Sequence, residues 1–237
     1  MQTQAVIGHI TGWLKDYALN ARAKGFVVGV SGGIDSAVVS ALAARTGLSV
    51  LLLDMPIRQK ADQSDRAQEH IRDLTRLFPN VSGQTVDLTP TFDTFAATVE
   101  AGGSEFPDKQ LALANARSRL RMVTLYYYGQ LHGCLVTGTG NKIEDFGVGF
   151  FTKYGDGGVD ISPIADLTKT QVYQLAAELG VAESIQKAVP TDGLWDTERT
   201  DEEQMGASYP ELEWAMSVYG TAKPEDFEGR RREVLEI

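Results

Sequence analysis

The chain has 237 residues, 43% apolar and 23% charged, a balance that supports a sizeable core and excludes a disordered or fibrous chain. Its 32 acidic side chains against 22 lysines and arginines give a net charge of −10. That charge argues against nucleic acid or anionic membrane as a partner, so any anionic ligand must be held by local donors. Cys134 is the only cysteine, which excludes an intrachain disulfide, and the longest apolar runs are strand-sized; the reading is one cytoplasmic domain over residues 1–237.

In chain order, Val6, Ile10, Trp13, Leu14 and Tyr17 recur at helical spacing and predict an amphipathic helix over 3–22. Phe26 to Val30 is a continuous β-rich run stopped by Ser31-Gly32-Gly33, which suits a strand buried on both faces. Asp35 to Arg45 reads as a helix closed by Gly47, Leu48 to Leu53 as a second strand, 62–77 as a polar helix and Thr85 to Leu88 as a third strand. A long helix over 109–131 and a fourth strand at Gly133 to Thr137 follow. Then comes a glycine-dense loop through 147–158, of the kind that is functional more often than idle, and a helix from Lys169 to Leu179 with Thr168 as N-cap and Gly180 as stop. Alternation of strand and helix predicts an α/β fold, a doubly wound parallel sheet with right-handed crossovers. The segments 82–108 and 192–207 carry few periodic apolar anchors and are expected to be mobile without ligand, as a lid would be.

The strongest local signal is Gly29-Val30-Ser31-Gly32-Gly33-Ile34-Asp35-Ser36, where a buried strand turns into a helix. Free amides and the positive end of a helix dipole make that junction an anion site, and the glycines let a phosphate approach the main chain. There is no Gly-Lys-Ser/Thr ending; an acid stands where a lysine would bring charge, which makes sense if Asp35 holds Mg²⁺. Cys134 lies within an apolar strand segment and reads as a small buried hydrophobe. His9, His70 and His132 are not clustered with one another, and Cys134 beside His132 is a single thiol, so zinc is not expected. Tyr126-Tyr127-Tyr128 reads as packing or a subunit contact.

The Ser-Gly-Gly-Xaa-Asp-Ser run resembles the pyrophosphate-binding loop of the ATP pyrophosphatases, which convert ATP to AMP and pyrophosphate on a Rossmann-like, adenine-nucleotide alpha-hydrolase-like fold. Four more segments are similar to the signatures of the NAD synthetase family: Asn115 to Met122, Gly138-Thr139-Gly140-Asn141-Lys142, Phe151 to Asp160 with its Phe-Thr-Lys-Tyr-Gly-Asp-Gly-Gly core, and Pro190 to Trp195. The resemblance runs from about residue 26 to 215. It implies ATP-dependent amidation of deamido-NAD by ammonia through an adenylate, giving NAD, AMP and pyrophosphate. It further implies that Gly29, Val30, Ser31, Gly32, Gly33, Ile34, Asp35 and Ser36 hold the ATP phosphates, joined by Thr139, Lys169 and Thr191, with Asp35 and Lys169 as the catalytic pair. By the same resemblance Arg119, Lys153 and Asp160 contact deamido-NAD, and Asp35 and Glu144 bind Mg²⁺, with neighbouring Asp145 as the alternative to Glu144.

Each has a plainer alternative. Lys169 reads equally as a first-turn helix residue, although a cation there opposes the dipole. Asp160 reads as a cap for the turn before Ser162-Pro163, and Arg117, Arg119 and Arg121 as a solvated face of which one or two reach the site. The sequence ends at Glu236-Ile237, whereas relatives commonly continue into a His-Lys pair that touches deamido-NAD, so substrate-side contacts are expected to be incomplete. With no glutamine-hydrolysing domain, the chain is expected to use free ammonia or a separate supplier, and to be a homodimer as the family is. The alternatives are another amidating or thiolating ATP pyrophosphatase, or a catalytically silent ATP sensor; retention of both Asp35 and Glu144 argues against the sensor.

Overall fold

The computed structural model describes residues 1–59, 61–100, 108–195 and 199–237. Four parallel strands form its sheet: β1 (Gly25–Gly29), β2 (Ser49–Asp54), β3 (Val81–Thr85) and β4 (Cys134–Thr137), in the order β3-β2-β1-β4. Val27 registers against Leu51 on one side and Val136 on the other. The continuous apolar run of β1 is split by the period-two pleat: Phe26, Val28 and Val30 point to one layer with Val50 and Leu52, while Val27 points to the other with Leu51, Leu53 and Val136.

The first layer holds α1 (Thr3–Asn20), α2 (Ile34–Arg45), α3 (Ala61–Leu77) and α6 (Lys169–Leu179), whose apolar stripes, Ile7, Ile10 and Leu14 on α1 and Val172 and Leu175 on α6, join that core. α2 is buried nearly all round, from Ile34 to Ala44, so it is apolar on every face. The second layer is α4 (Thr89–Glu100) and α5 (Lys109–His132), which bring Phe92, Ala96, Leu120 and Tyr128 against the opposite face. A third cluster, around Ile143, Met205, Tyr209 and Leu212, is built by a π-helical segment (Lys142–Val148) with α8 (Asp201–Met205), α9 (Tyr209–Val218) and α10 (Arg230–Leu235); the short α7 (Glu183–Gln186) precedes it. Among the described residues no helix is long and apolar enough to cross a membrane.

One expected element is corrected. The third strand is Val81–Thr85, not Thr85–Leu88: β3 is an edge strand with only Val81 buried, so its pairing with β2 leaves no apolar pattern, while Leu88 packs below as the chain turns into α4. Within 82–108, residues 89–100 form a helix despite four threonines, because Phe92 and Ala96 anchor it one turn apart and Asp87 Oδ1 accepts from the Thr89 amide. The rest of that segment from 101 to 107, and 196–198 of the 192–207 segment, lie outside the described residues; 201–205 is helical. The cap expected for α6 is present as a reciprocal pair, with Thr168 accepting from the Gln171 amide and Gln171 from the Thr168 amide, and Gly180 closes it at φ 74°.

Candidate active site

Strand order sets the position of the site. From β1 the chain steps outward through β2 to β3, then returns to place β4 on the far side of β1. Adjacent loops therefore diverge at the carboxyl ends of β1 and β4, the crevice where open α/β sheets hold ligands. A cavity of about 470 Å³ opens there, and every residue from Gly29 to Ser36 lines it, with Thr139, Glu144, Asp145, Lys169 and Thr191.

The loop from Gly29 to Ser36 is held by its own hydroxyls: the Ser31 amide donates to Ser36 Oγ at 3.2 Å, the Gly33 amide to Ser31 Oγ at 3.2 Å, and Ser36 Oγ to the Gly33 carbonyl at 3.0 Å. Gly32 takes φ 79°, and a Cβ on it would collide with the Gln63 carbonyl of α3. Its glycine thus serves a left-handed turn and a close helix crossing together.

Lys169 is the centre of the charge arrangement. It is 2% exposed, and its Nζ donates to Asp35 Oδ2 at 2.6 Å and to Glu144 Oε1 at 2.9 Å. Burial works to strip its proton, but the two carboxylates outweigh burial and hold its pKa above the ordinary lysine value. Burial, with Glu144 adding to it and Lys169 opposing, raises Asp35; burial also works against ionised Glu144, but Lys169 and the Tyr209 hydroxyl bring it below the usual range. Asp35 thus sits in the first turn of α2 with its carboxylate enclosed by Lys169 and Asn141. Of the two neighbouring acids, Glu144 shares Lys169 with Asp35; Asp145 lies against Gly140, where a Cβ would strike its carboxylate, and burial with Asp156 beside it raises its pKa to about 7.

Three residues to which sequence reasoning gave no role complete the geometry. Asn141 is fully buried: its Oδ1 accepts from the Ile143 and Glu144 amides at 3.0 and 3.1 Å, starting the π-helical segment, and its Nδ2 donates to Asp35 Oδ1 at 3.2 Å. Tyr209 donates its hydroxyl to Glu144 at 2.6 Å and lays its ring 4.7 Å from Lys169 Nζ. Asp201, 3.4 Å from that hydroxyl, is buried, and burial together with Glu144 raises its pKa to about 7. The spacing of Asn141 to Glu144, and of Ser208 to Glu211 ahead of α9, are capping signals that would have marked both segments.

The donor set fits a hard divalent cation, since two carboxylates converge on a single positive charge. No group of three or more acidic, His or Cys side chains able to hold a metal occurs among the described residues, so any remaining ligands would be water and phosphate oxygens.

The residues expected on the deamido-NAD side fall elsewhere. Arg119 and Lys153 come together, with Arg119 Nε donating to the Lys153 carbonyl at 3.1 Å, but both are exposed and neither lines the cavity. Asp160 also lies outside it, accepting from the Val136 amide at 2.8 Å and the Tyr126 hydroxyl at 3.0 Å. The arginines are not one solvated face: Arg121 lines the cavity, donating to the Met55 carbonyl and Gln59, while buried Arg117 reaches the Leu194 carbonyl. Thr191 is tied to α3 by Gln63 at 2.9 Å, which draws residues 191–194 across the cavity. Cys134 begins β4 half-buried, its thiol raised by burial against the opposing charge of Lys24.

The sequence pattern of the family described as NAD synthase matches residues 6–234. The chain is 37% identical over 218 residues to an NH(3)-dependent NAD(+) synthetase of Finegoldia magna, covering 92% of this chain and 86% of that protein. Among solved structures, the NMN synthetase from Francisella tularensis superposes with TM-score 0.83 at 34% identity, over 94% of this chain and 89% of that one. The NH3-dependent NAD synthetase from Campylobacter jejuni does so with TM-score 0.77 at 25% identity, over 100% and 93%.

Proposed function

The chain belongs to the NAD synthase family, and on that premise we propose that it is a carbon–nitrogen ligase that amidates deamido-NAD with ammonia at the expense of ATP. The observation that carries the reading is the convergence of Asp35, Glu144 and Lys169 on one point beside the phosphate loop. A free carboxylate is a poor acceptor for ammonia because oxide would have to leave. Transfer of AMP to it, with release of pyrophosphate, replaces oxide by a phosphate leaving group; ammonia then forms the C–N bond as AMP departs. The protein's task is to align two anions and offset their charge, which is worth up to about 7–11 kcal/mol from alignment.

The loop from Gly29 to Ser36 binds the ATP phosphates, with Thr139 and Thr191 adding hydroxyls from the cavity wall. Asp35 and Glu144 would hold Mg²⁺, which when bound would supply charge neutralisation at those phosphates. Asn141 and Tyr209 fix the two carboxylates, and Lys169, held between them, sets its charge beside the loop that takes the phosphates. Residues 191–194 cover the cavity and limit water at the adenylate. Arg119, Lys153 and Asp160 receive the part of deamido-NAD that extends beyond it. One domain carries the reaction, in the cytoplasm, and the exposed apolar side chains Phe95, Val99, Val123, Tyr127 and Leu131 of α4 and α5 support a homodimer.

The likeness to an NMN synthetase favours a second reading, in which the acceptor is the deamidated mononucleotide; the position of Arg119 and Lys153 outside the cavity is compatible with it. The test is to offer ATP, Mg²⁺ and ammonium with deamido-NAD, nicotinate mononucleotide or xanthosine monophosphate. Release of AMP with deamido-NAD at the highest kcat/KM supports the first reading, preference for the mononucleotide supports the second, and xanthosine monophosphate as sole acceptor overturns both.

A further inference from the structure

The phosphate loop lacks the lysine that many such loops carry, and three described cations line the cavity: Arg66, Arg121 and Lys169. Two are committed. Lys169 is held by Asp35 and Glu144, and Arg121 by the Met55 carbonyl at 3.0 Å and Gln59 at 2.8 Å. Arg66 is different. It stands on α3 where that helix crosses Gly32, close enough that a Cβ on Gly32 would touch its own Cβ, so its side chain is laid along the loop. Its Nε donates to the Gly32 carbonyl at 3.4 Å, its Nη1 pairs with Asp62 at 3.0 Å, and its Nη2 makes no hydrogen bond among the described residues.

The two partners differ in surroundings. The Arg66 side chain is 21% exposed and faces the cavity, whereas Asp62 is 65% exposed and one helical turn back towards solvent. An exposed pair of this kind is weak, and a doubly charged phosphate group is a stronger partner for a guanidinium than a solvated carboxylate. The cavity also needs the charge: Asp35, Asp54, Glu144, Asp145, Asp156, Asp192 and Asp201 line it against those three cations, and ATP adds more negative charge.

We propose that Arg66 is a phosphate-binding residue of this site, which exchanges Asp62 for the terminal phosphates of ATP and holds the pyrophosphate as it leaves. The inference rests on the reading of the loop as the ATP site. Its hold on the Gly32 carbonyl pre-orients the fork, and its lever arm on α3 lets the guanidinium shift without moving the loop.

The test is titration of the full chain with Mg-pyrophosphate and with Mg-ATP by calorimetry, with no acceptor present. Arg66→Gln is expected to weaken pyrophosphate binding on the order of tenfold to a hundredfold, and Arg66→Lys to restore part of it, because a lysine keeps the charge without the fork. Asp62→Asn is expected to tighten pyrophosphate binding by about two- to fivefold, because it removes the competing carboxylate. In turnover, KM for ATP should rise in Arg66→Gln while KM for the nucleotide acceptor holds. A merely structural i, i+4 pair predicts the opposite pattern: both Arg66→Gln and Asp62→Asn lower Tm, and pyrophosphate affinity stays at the wild-type value in each; that result overturns the proposal alone. Wild-type protein that binds neither Mg-pyrophosphate nor Mg-ATP overturns the ATP-site reading, and this inference with it.

Discussion

Asn141 joins the two halves of the site, and replacing it separates what each half needs. Its side chain makes three hydrogen bonds from a fully buried position, two accepted from the Ile143 and Glu144 amides and one donated to Asp35. In Asn141→Ala the lost cap costs about 1 kcal/mol, and the buried amides left without an acceptor add about 1–3 kcal/mol. A total of about 2–4 kcal/mol lowers Tm by roughly 5–15 °C in a chain of this length. Turnover should fall further, on the order of a hundredfold, because Asp35 and Glu144 lose the group that sets them relative to each other. Asn141→Ser isolates the two effects. Serine caps nearly as well as asparagine but cannot donate to Asp35 from the same reach, so Tm should recover most of the loss while turnover stays low. The assays are thermal unfolding and Mg²⁺-dependent pyrophosphate release. A loss below about 0.5 kcal/mol in the alanine variant, or a serine variant that regains stability and turnover together, would refute the bridging role.

Asp35→Asn should abolish Mg²⁺-dependent pyrophosphate release and, because Asp35 is bonded to Lys169 and Asn141 rather than solvated, cost about 1–3 kcal/mol as well; near wild-type release sinks the metal assignment. His70 is buried against Ser40 at 2.8 Å, and burial lowers its pKa to about 4. The unfolded chain takes up that proton near pH 6.5 and the folded one does not, so stability is lost as pH falls from about 6.5 towards 4, by up to about 3 kcal/mol. His70→Gln should flatten the wild-type decline in that window, measured by denaturant unfolding at pH 4.5, 5.5 and 7; an unchanged slope counts against it. Burial raises the Cys134 thiol against the opposing charge of Lys24, which makes it a poor glutaminase nucleophile, so the chain should make NAD from ammonium and almost none from glutamine, and Cys134→Ser should keep the ammonium activity. Glutamine-supported synthesis that is lost in Cys134→Ser overturns this.

The fold was legible where local pattern and tertiary role agree. Phe26 to Val28 reads as a strand buried on both faces because β1 is central, and Thr168 and Gly180 mark the ends of α6 because caps are local hydrogen bonds. β3 and α4 were not legible in the same way. β3 is exposed on four of its five residues and exists because β2 offers it an unpaired edge, and α4 is threonine-rich and exists because Phe92 has a sheet face to cover. In both, tertiary contact overrides propensity, and no window of sequence contains the partner. The phosphate loop belongs to the first kind, since its turn, glycines and helix start are contiguous from Gly29 to Ser36.

The charged centre belongs to the second kind, and strand order explains why. Asp35 follows β1, Glu144 follows β4, and the two strands are neighbours only because the chain returns past β1 after building β2 and β3. All strands being parallel, both loops emerge at one edge, so two acids far apart in sequence are brought within reach of one lysine. Family resemblance could assign those residues, but the sequence alone carries no trace of their distance. The same reasoning separates Lys169 from Arg119 and Lys153. Lys169 follows Ile161, which bridges Thr137 of β4, so its helix starts at the sheet edge with its first-turn side chain turned into the crevice. Arg119 lies on a helix that covers a face of the sheet, and Lys153 on the loop that Asn115 and Ser118 tie to that helix. A side chain on a covering helix reaches the crevice only from its inner face, as Arg121 does, so the outward Arg119 can serve only a ligand that extends past the rim. The sheet therefore fixes where the Gly29–Ser36 loop, the two acids and Lys169 meet, and on the proposed reading the length of the acceptor decides whether the outer cations take part.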